Sequence, residues 1–213
     1  MEIITQIIDI FLHLDHYLGV FVRDHGSWIY LLLFLIVFAE TGLVIMPFLP
    51  GDSLLFVTGT LAAAGGMDIT WIIVTLISAA ICGDNTNYWV GHHLGPKVFR
   101  RHDARFLNPR HLERAQEFYA RHGAKAVMIG RFLPIIRTFV PFVAGIGRMP
   151  YLRFLSFSIL GTFLWVLSFV LAGYFFGNIP IVKRNLTFVI LGIVVISLLP
   201  GAVQYWRSRR AQS

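Results

Sequence analysis

Residues 28–66 read WIYLLLFLIVFAETGLVIMPFLPGDSLLFVTGTLAAAGG, and their reading decides the fold. The apolar run from Trp28 to Ala39 stops at Glu40. At ~1.5 Å per residue it reaches about 18 Å, short of a hydrocarbon core of roughly 30 Å. A break follows at Pro47, Pro50 and Gly51, with Asp52 directly after it, and a second apolar arm then runs from Ser53 to Ala64. Two short arms around a Pro/Gly break predict a re-entrant hairpin, a backbone tolerated at membrane depth only inside protein or beside a wet cavity. One kinked spanning helix followed by a loop is the alternative.

The same pattern returns at 125–147, KAVMIGRFLPIIRTFVPFVAGIG. A short apolar arm meets Arg131, Pro134, Arg137 and Pro141 before small residues and glycines, which predicts a second hairpin over 125–148. An ion in hydrocarbon costs at least ~2.5–3.5 kcal/mol, so charges there face a cavity, a partner or a substrate. Here they sort by sign, with acids in one broken segment and arginines in the other. They read as two halves of one intramembrane site.

Composition agrees with a membrane protein: of 213 residues 56% are hydrophobic and only 14% charged. The excess of 18 Lys and Arg over 11 acids does not point to nucleic acid, because the basic residues collect between and after apolar runs. The single cysteine, Cys82, excludes an intramolecular disulfide and is expected as a buried structural thiol. No signal peptide is evident, since the first residues are acidic.

The chain is expected to form one all-α polytopic membrane domain over 1–213. Residues 1–26 hold an N-terminal amphipathic helix, with Ile3, Ile7, Ile8, Phe11 and Leu12 at helical spacing among acids and histidines over 3–22. A tilted spanning helix is the competing reading there. After the hairpin over 28–66, Asp68 is an N-cap candidate for a spanning helix over 69–91, whose second half carries Asp84, Asn85 and Asn87. Residues 96–122 form a basic segment, with Asn108-Pro109 opening a short helix. The uncharged run 154–177 is a spanning helix, 186–206 is another, and 207–213 is a basic tail. The basic segment and tail belong in the cytoplasm by the positive-inside rule. The hairpins then enter from opposite faces, each followed by a spanning helix, as an inverted repeat of the kind that places substrate near the midplane.

Each polar residue has a functional and a plain reading. Glu40 and Asp52 can exchange protons as their pairing with guanidinium changes, or can be permanent ion-pair partners; Asp52 can also cap the second arm. Arg131 and Arg137 can grip a phosphate bidentately, or can neutralise Glu40 and Asp52. Asp84, Asn87 and Tyr88 suit a supporting role, bonding one another or backbone freed at the hairpins. Gly173 and Gly177 form a GxxxG pair, a weak sign of close packing. The histidines show no metal-ligand spacing, and no Ser-His-Asp, Walker or zinc-protease pattern occurs, so neither metal, cofactor nor enzymatic activity is expected.

FAETGLVIMPFLPGDSLLF (38–56), GDNTNYWVGHHLG (83–95), GRFLPIIRTFVPFVAG (130–145) and YFFG (174–177) together resemble the DedA family of bacterial inner-membrane proteins, along essentially the whole chain. The resemblance implies a core shared with VTT-domain lipid scramblases, with paired re-entrant hairpins. It also implies proton-linked movement of undecaprenyl phosphate or a phospholipid across the bilayer, in support of envelope integrity. The family's functional acids fall on Glu40 and Asp52, and its arginines on Arg131 and Arg137. The expectation is therefore a lipid-phosphate transporter in which the arginines bind the head group, the acids couple protons, and Asp84, Asn87, Pro47, Pro50, Gly51, Pro134 and Pro141 support the site. A proton-coupled antiporter for cationic solutes or drugs is the rival. Partners are expected to be membrane lipid and protons; small-residue helix faces are compatible with a homodimer.

Overall fold

A computed structural model describes residues 14–43, 51–98, 116–117, 119–180 and, after these, 182, 185, 188, 189, 191 and 192. The start of the N-terminal helix, Pro47, Pro50, the Asn108-Pro109 helix start, most of the 186–206 span and the basic tail lie outside the described residues. All regular structure among the described residues is helical. In chain order the helices are α1 (Leu14–His25), α2 (Trp28–Gly42), α3 (Gly51–Ala63), α4 (Ile69–Val98), α5 (Lys125–Gly130), α6 (Pro134–Ile146) and α7 (Tyr151–Phe176).

Two of them, α4 over Ile69–His93 and α7, are long and apolar enough to cross a bilayer, while α2 and Ile136–Ile146 of α6 are shorter apolar helices. The sequence explains where the long ones start. The Asp68 carboxylate accepts the backbone N–H of Thr70 at 2.8 Å and of Trp71 at 3.1 Å, capping α4. Pro150 is the N-cap of α7. α4 runs past the expected end at residue 91, and the reason is packing. Gly91 is not a stop; it lets the helix touch the backbone of Phe142, where a Cβ would overlap the carbonyl. α7 likewise starts three residues before the uncharged run, taking Arg153 into an exposed first turn.

The packing partners follow one rule in both halves. The first arm of each broken segment lies on the long helix that follows it, α2 on α4 and α5 on α7. The second arm lies on the long helix of the other half, α3 on α7 and α6 on α4. Both exchanged contacts use paired glycines. A Cβ on Gly59 or Gly173 would strike the facing backbone across α3–α7, and one on Gly145 or Gly91 would do so across α6–α4. The GxxxG pair is thus spent within the chain, with Gly173 on Phe56 and Gly177 on Thr60.

Two apolar clusters result. One gathers Leu33, Val37, Leu55, Ile72, Leu76 and Val170; the other gathers Tyr88, Val127, Val140 and Phe154. Along α4 Asp84 falls between residues of the two clusters, and along α7 Ser158 does the same. A polar layer therefore lies between two dry ones. Cys82 corrects the sequence reading: its side chain is exposed. It shares the outward stripe of α4 with Trp71, Val74 and Trp89, and a small thiol suits that lipid-like face as well as a core.

Candidate functional site

Five ionisable side chains meet in the polar layer. Glu40 comes from the last turn of α2, Asp52 from the first turn of α3 and Asp84 from the middle of α4. Arg131 ends α5, and Arg137 lies in the first turn of α6. Each is less than a tenth exposed, and Glu40 is fully buried. The end of α2 and the start of α3 thus meet the start of α6 and bring together charges about ninety residues apart in the chain.

The pairing divides into two clusters. Arg137 Nη1 donates to Asp52 Oδ1 at 2.8 Å, and Arg137 Nη2 donates to Glu40 Oε1. Arg131 Nη2 donates to Asp84 Oδ2, which also accepts the Ser158 hydroxyl at 2.5 Å. The simple opposition of two acids to two arginines therefore needs correction. Arg131 pairs with Asp84 rather than with Glu40 or Asp52, because the turn at 131–133 sends the two arginines off different helices. Three carboxylates share two guanidiniums. Counted over the described residues, with every group ionised, the acids exceed the arginines by one, which in a poorly solvated site favours uptake of one proton or one cation.

Backbone is tied into the same layer. Asn87 Nδ2 donates to the carbonyls of Thr41 at 3.1 Å and Thr138 at 2.6 Å, joining α2 and α6 to α4. The Tyr88 hydroxyl donates to the Met149 carbonyl. Gly51 lies against the Glu40 carboxylate, where a Cβ would overlap both oxygens. Pro134 opens α6 at its first turn, where the missing N–H costs nothing. Pro141 stands inside α6 and leaves the carbonyl four residues back, that of Arg137, without its helical donor. Glu40 Oε2, Arg137 Nε and Asn87 Oδ1 are buried with no hydrogen-bond partner among the described residues.

Sequence reasoning missed Trp165 and Ser158. Trp165 is fully buried; its indole N–H donates to Asp52 Oδ1 at 2.8 Å, and its ring lies 5.1 Å from the Arg137 guanidinium carbon and 5.7 Å from that of Arg131. A signal was available. Ser158, Thr162 and Trp165 form a polar stripe at helical spacing inside an otherwise apolar span, and a tryptophan far from either end of such a span needs a partner for its N–H.

Residues 49–175 match the VTT domain, which takes in every site residue above except Glu40. The chain belongs to the DedA family. It is 46% identical to Protein DedA of Escherichia coli K12, over 99% of this chain and 97% of that protein. It is 41% identical to an uncharacterized membrane protein of Mycobacterium leprae, over 84% of this chain and 80% of that one. Inner membrane protein YghB of Escherichia coli K12 shares 38% identity over 83% and 82% of the two chains. No solved structure matches. DedA-family relatives are thus inner membrane proteins, none of these names denotes an enzyme, and the two long helices here agree with that setting.

Proposed function

We propose that this DedA-family protein is a proton-linked transporter that moves a lipid phosphate head group, on undecaprenyl phosphate or a phospholipid, across the bacterial inner membrane. The observation that supports it most is the saturation of both buried arginines by carboxylates. A phosphate can reach Arg137 only if Glu40 and Asp52 let go, and protonation is what releases a carboxylate from a guanidinium. Carboxylates and head group then exchange on the same cations, and proton uptake by the carboxylates accompanies head-group binding. Arg131 and Arg137 bind the head group, Glu40 and Asp52 carry protons, and Asn87 and the proline and glycine breaks hold the tips in place. Asp84 keeps Arg131 oriented until substrate takes its place.

The two broken segments are read as re-entrant hairpins of an inverted repeat, the first open to the periplasm and the second to the cytoplasm, with the C-terminus cytoplasmic. The exchanged packing of the arms supports this reading. Single cysteines at Gly66 and Arg121, in a Cys82→Ser background, should react with impermeant reagent from opposite faces. Labelling of both from one side would sink the repeat. The transport reading is tested in proteoliposomes: labelled lipid phosphate should cross faster with a pH gradient than without, and an unchanged rate would reject proton linkage.

A second reading, a proton-coupled antiporter of cationic solutes, is favoured by the excess of one acid in the layer. In that case a cation accelerates proton flux in the same vesicles and a lipid phosphate does not.

A further inference from the structure

We propose that Trp165 is a positioning residue that couples the two ion-pair clusters, its N–H holding Asp52 against Arg137 while its ring holds both guanidiniums. This rests on the transport reading above and goes beyond it by naming the residue that makes two charge clusters act as one.

The geometry is specific to tryptophan. Asp52 Oδ1 receives two donors at 2.8 Å, Arg137 Nη1 and Trp165 Nε1, so the indole fixes the same oxygen that the arginine grips. The ring meanwhile has a guanidinium carbon within 6 Å in each cluster. Arg137 meets Glu40 and Asp52 while Arg131 meets Asp84, and the indole touches both clusters. The charged groups turned toward this layer are Glu40 from α2, Asp52 from α3, Asp84 from α4, Arg131 from the end of α5 and Arg137 from α6; α7 itself adds the neutral Ser158.

Two consequences follow from separating the N–H from the ring. The N–H holds the Asp52 oxygen that Arg137 also grips. When Asp52 takes a proton and Arg137 swings toward a phosphate, that N–H becomes available to an oxyanion. The ring keeps the two guanidiniums within reach of one head group, so its loss weakens substrate binding rather than proton uptake.

Trp165→Phe keeps a ring and removes the N–H, whereas Trp165→Leu removes both. In proteoliposomes Trp165→Phe should shift the pH midpoint of lipid-phosphate transport, with KM within about twofold of wild type. Trp165→Leu should raise KM by roughly tenfold in addition, the loss of about 1.4 kcal/mol of cation–π attraction. A Trp165→Phe protein with the wild-type midpoint, or a Trp165→Leu protein with the KM of Trp165→Phe, overturns the assignment.

A second measurement needs no transport and keeps Trp165 in place. With Trp28, Trp71, Trp89 and Trp206 changed to Phe, emission from Trp165 should titrate with pH, and Asp52→Asn should abolish the titration. Flat emission across the range in which transport changes would refute the coupling. Failure of the wild type to move lipid phosphate would instead count against the transport reading, and the fluorescence arm would still judge Trp165.

Discussion

The two charge clusters are built from similar parts and differ in one respect. Around Arg137 two carboxylates compete for one guanidinium, and Glu40 keeps an oxygen with no hydrogen-bond partner among the described residues. Around Arg131 one carboxylate meets one guanidinium, with the Ser158 hydroxyl on the same oxygen. Among the described residues the first cluster has one more acid than base and the second has one of each. An unbalanced buried cluster is the one that gains or loses a proton or ligand at low cost, whereas a balanced pair resists change because opening it strands two charges. On the proposed reading, proton exchange falls to the Glu40–Asp52–Arg137 cluster, and Asp84 holds Arg131 ready for the head group.

The sharpest way to break that division is to remove each arginine. Arg137→Met strands two buried carboxylates and should destabilise the protein by about 3–5 kcal/mol, more than Arg131→Met, which strands one. Thermal unfolding in detergent reads the difference. The matched double variants decide the partners: Asp84→Asn should recover much of the stability lost in Arg131→Met, and Glu40→Gln should not. Equal recovery by both would erase the boundary between the clusters.

Neutralising the acids is next in size. Glu40→Gln and Asp52→Asn keep shape and remove charge, so each should flatten the pH dependence of transport while the protein still inserts and folds. Wild-type pH dependence in both would make these carboxylates structural. Replacing arginine by lysine sharpens the comparison further, because a point charge cannot bridge two acceptors as a guanidinium fork does. Arg137→Lys should lose roughly tenfold or more of transport, and Arg131→Lys less, since Arg131 has one carboxylate to satisfy.

The smallest effect belongs to Ser158. Ser158→Ala removes one hydrogen bond to Asp84 and should cost about 1–2 kcal/mol of stability with the pH midpoint of transport unchanged. A shifted midpoint would place Asp84 in the proton pathway and blur the two clusters into one.

Much of this was legible in the sequence, and the parts that were not share a cause. Apolar run length and the Pro/Gly breaks at 47–51 and 134–141 gave the order of short and long helices, since these are local properties. Charges inside apolar sequence marked Glu40, Asp52, Arg131 and Arg137 because an unpaired ion there is costly. Who pairs with whom is not local. Asp84 lies on a helix whose polar half also suited a purely supporting role, and only the packing of both α4 and α5 on α7 brings it to Arg131. Spanning length alone ends α4 near residue 91, yet Gly91 serves a backbone contact with α6 and the helix runs on. Trp165 and Cys82 were misjudged for a related reason: in an apolar helix surrounded by lipid, hydrophobicity does not tell the inner face from the outer one.

The central claim is that phosphate and carboxylates compete for the same arginines. Binding of a short-chain lipid phosphodiester to the purified protein, measured as a thermal shift across pH, tests it most directly, because bound ligand raises stability by RT ln(1 + [L]/Kd). The account predicts a shift that grows on acidification in the wild type. In Glu40→Gln with Asp52→Asn, where the carboxylates no longer compete, the shift should be large and nearly independent of pH. A shift of the same size at every pH in the wild type, unchanged by removal of both acids, would contradict it.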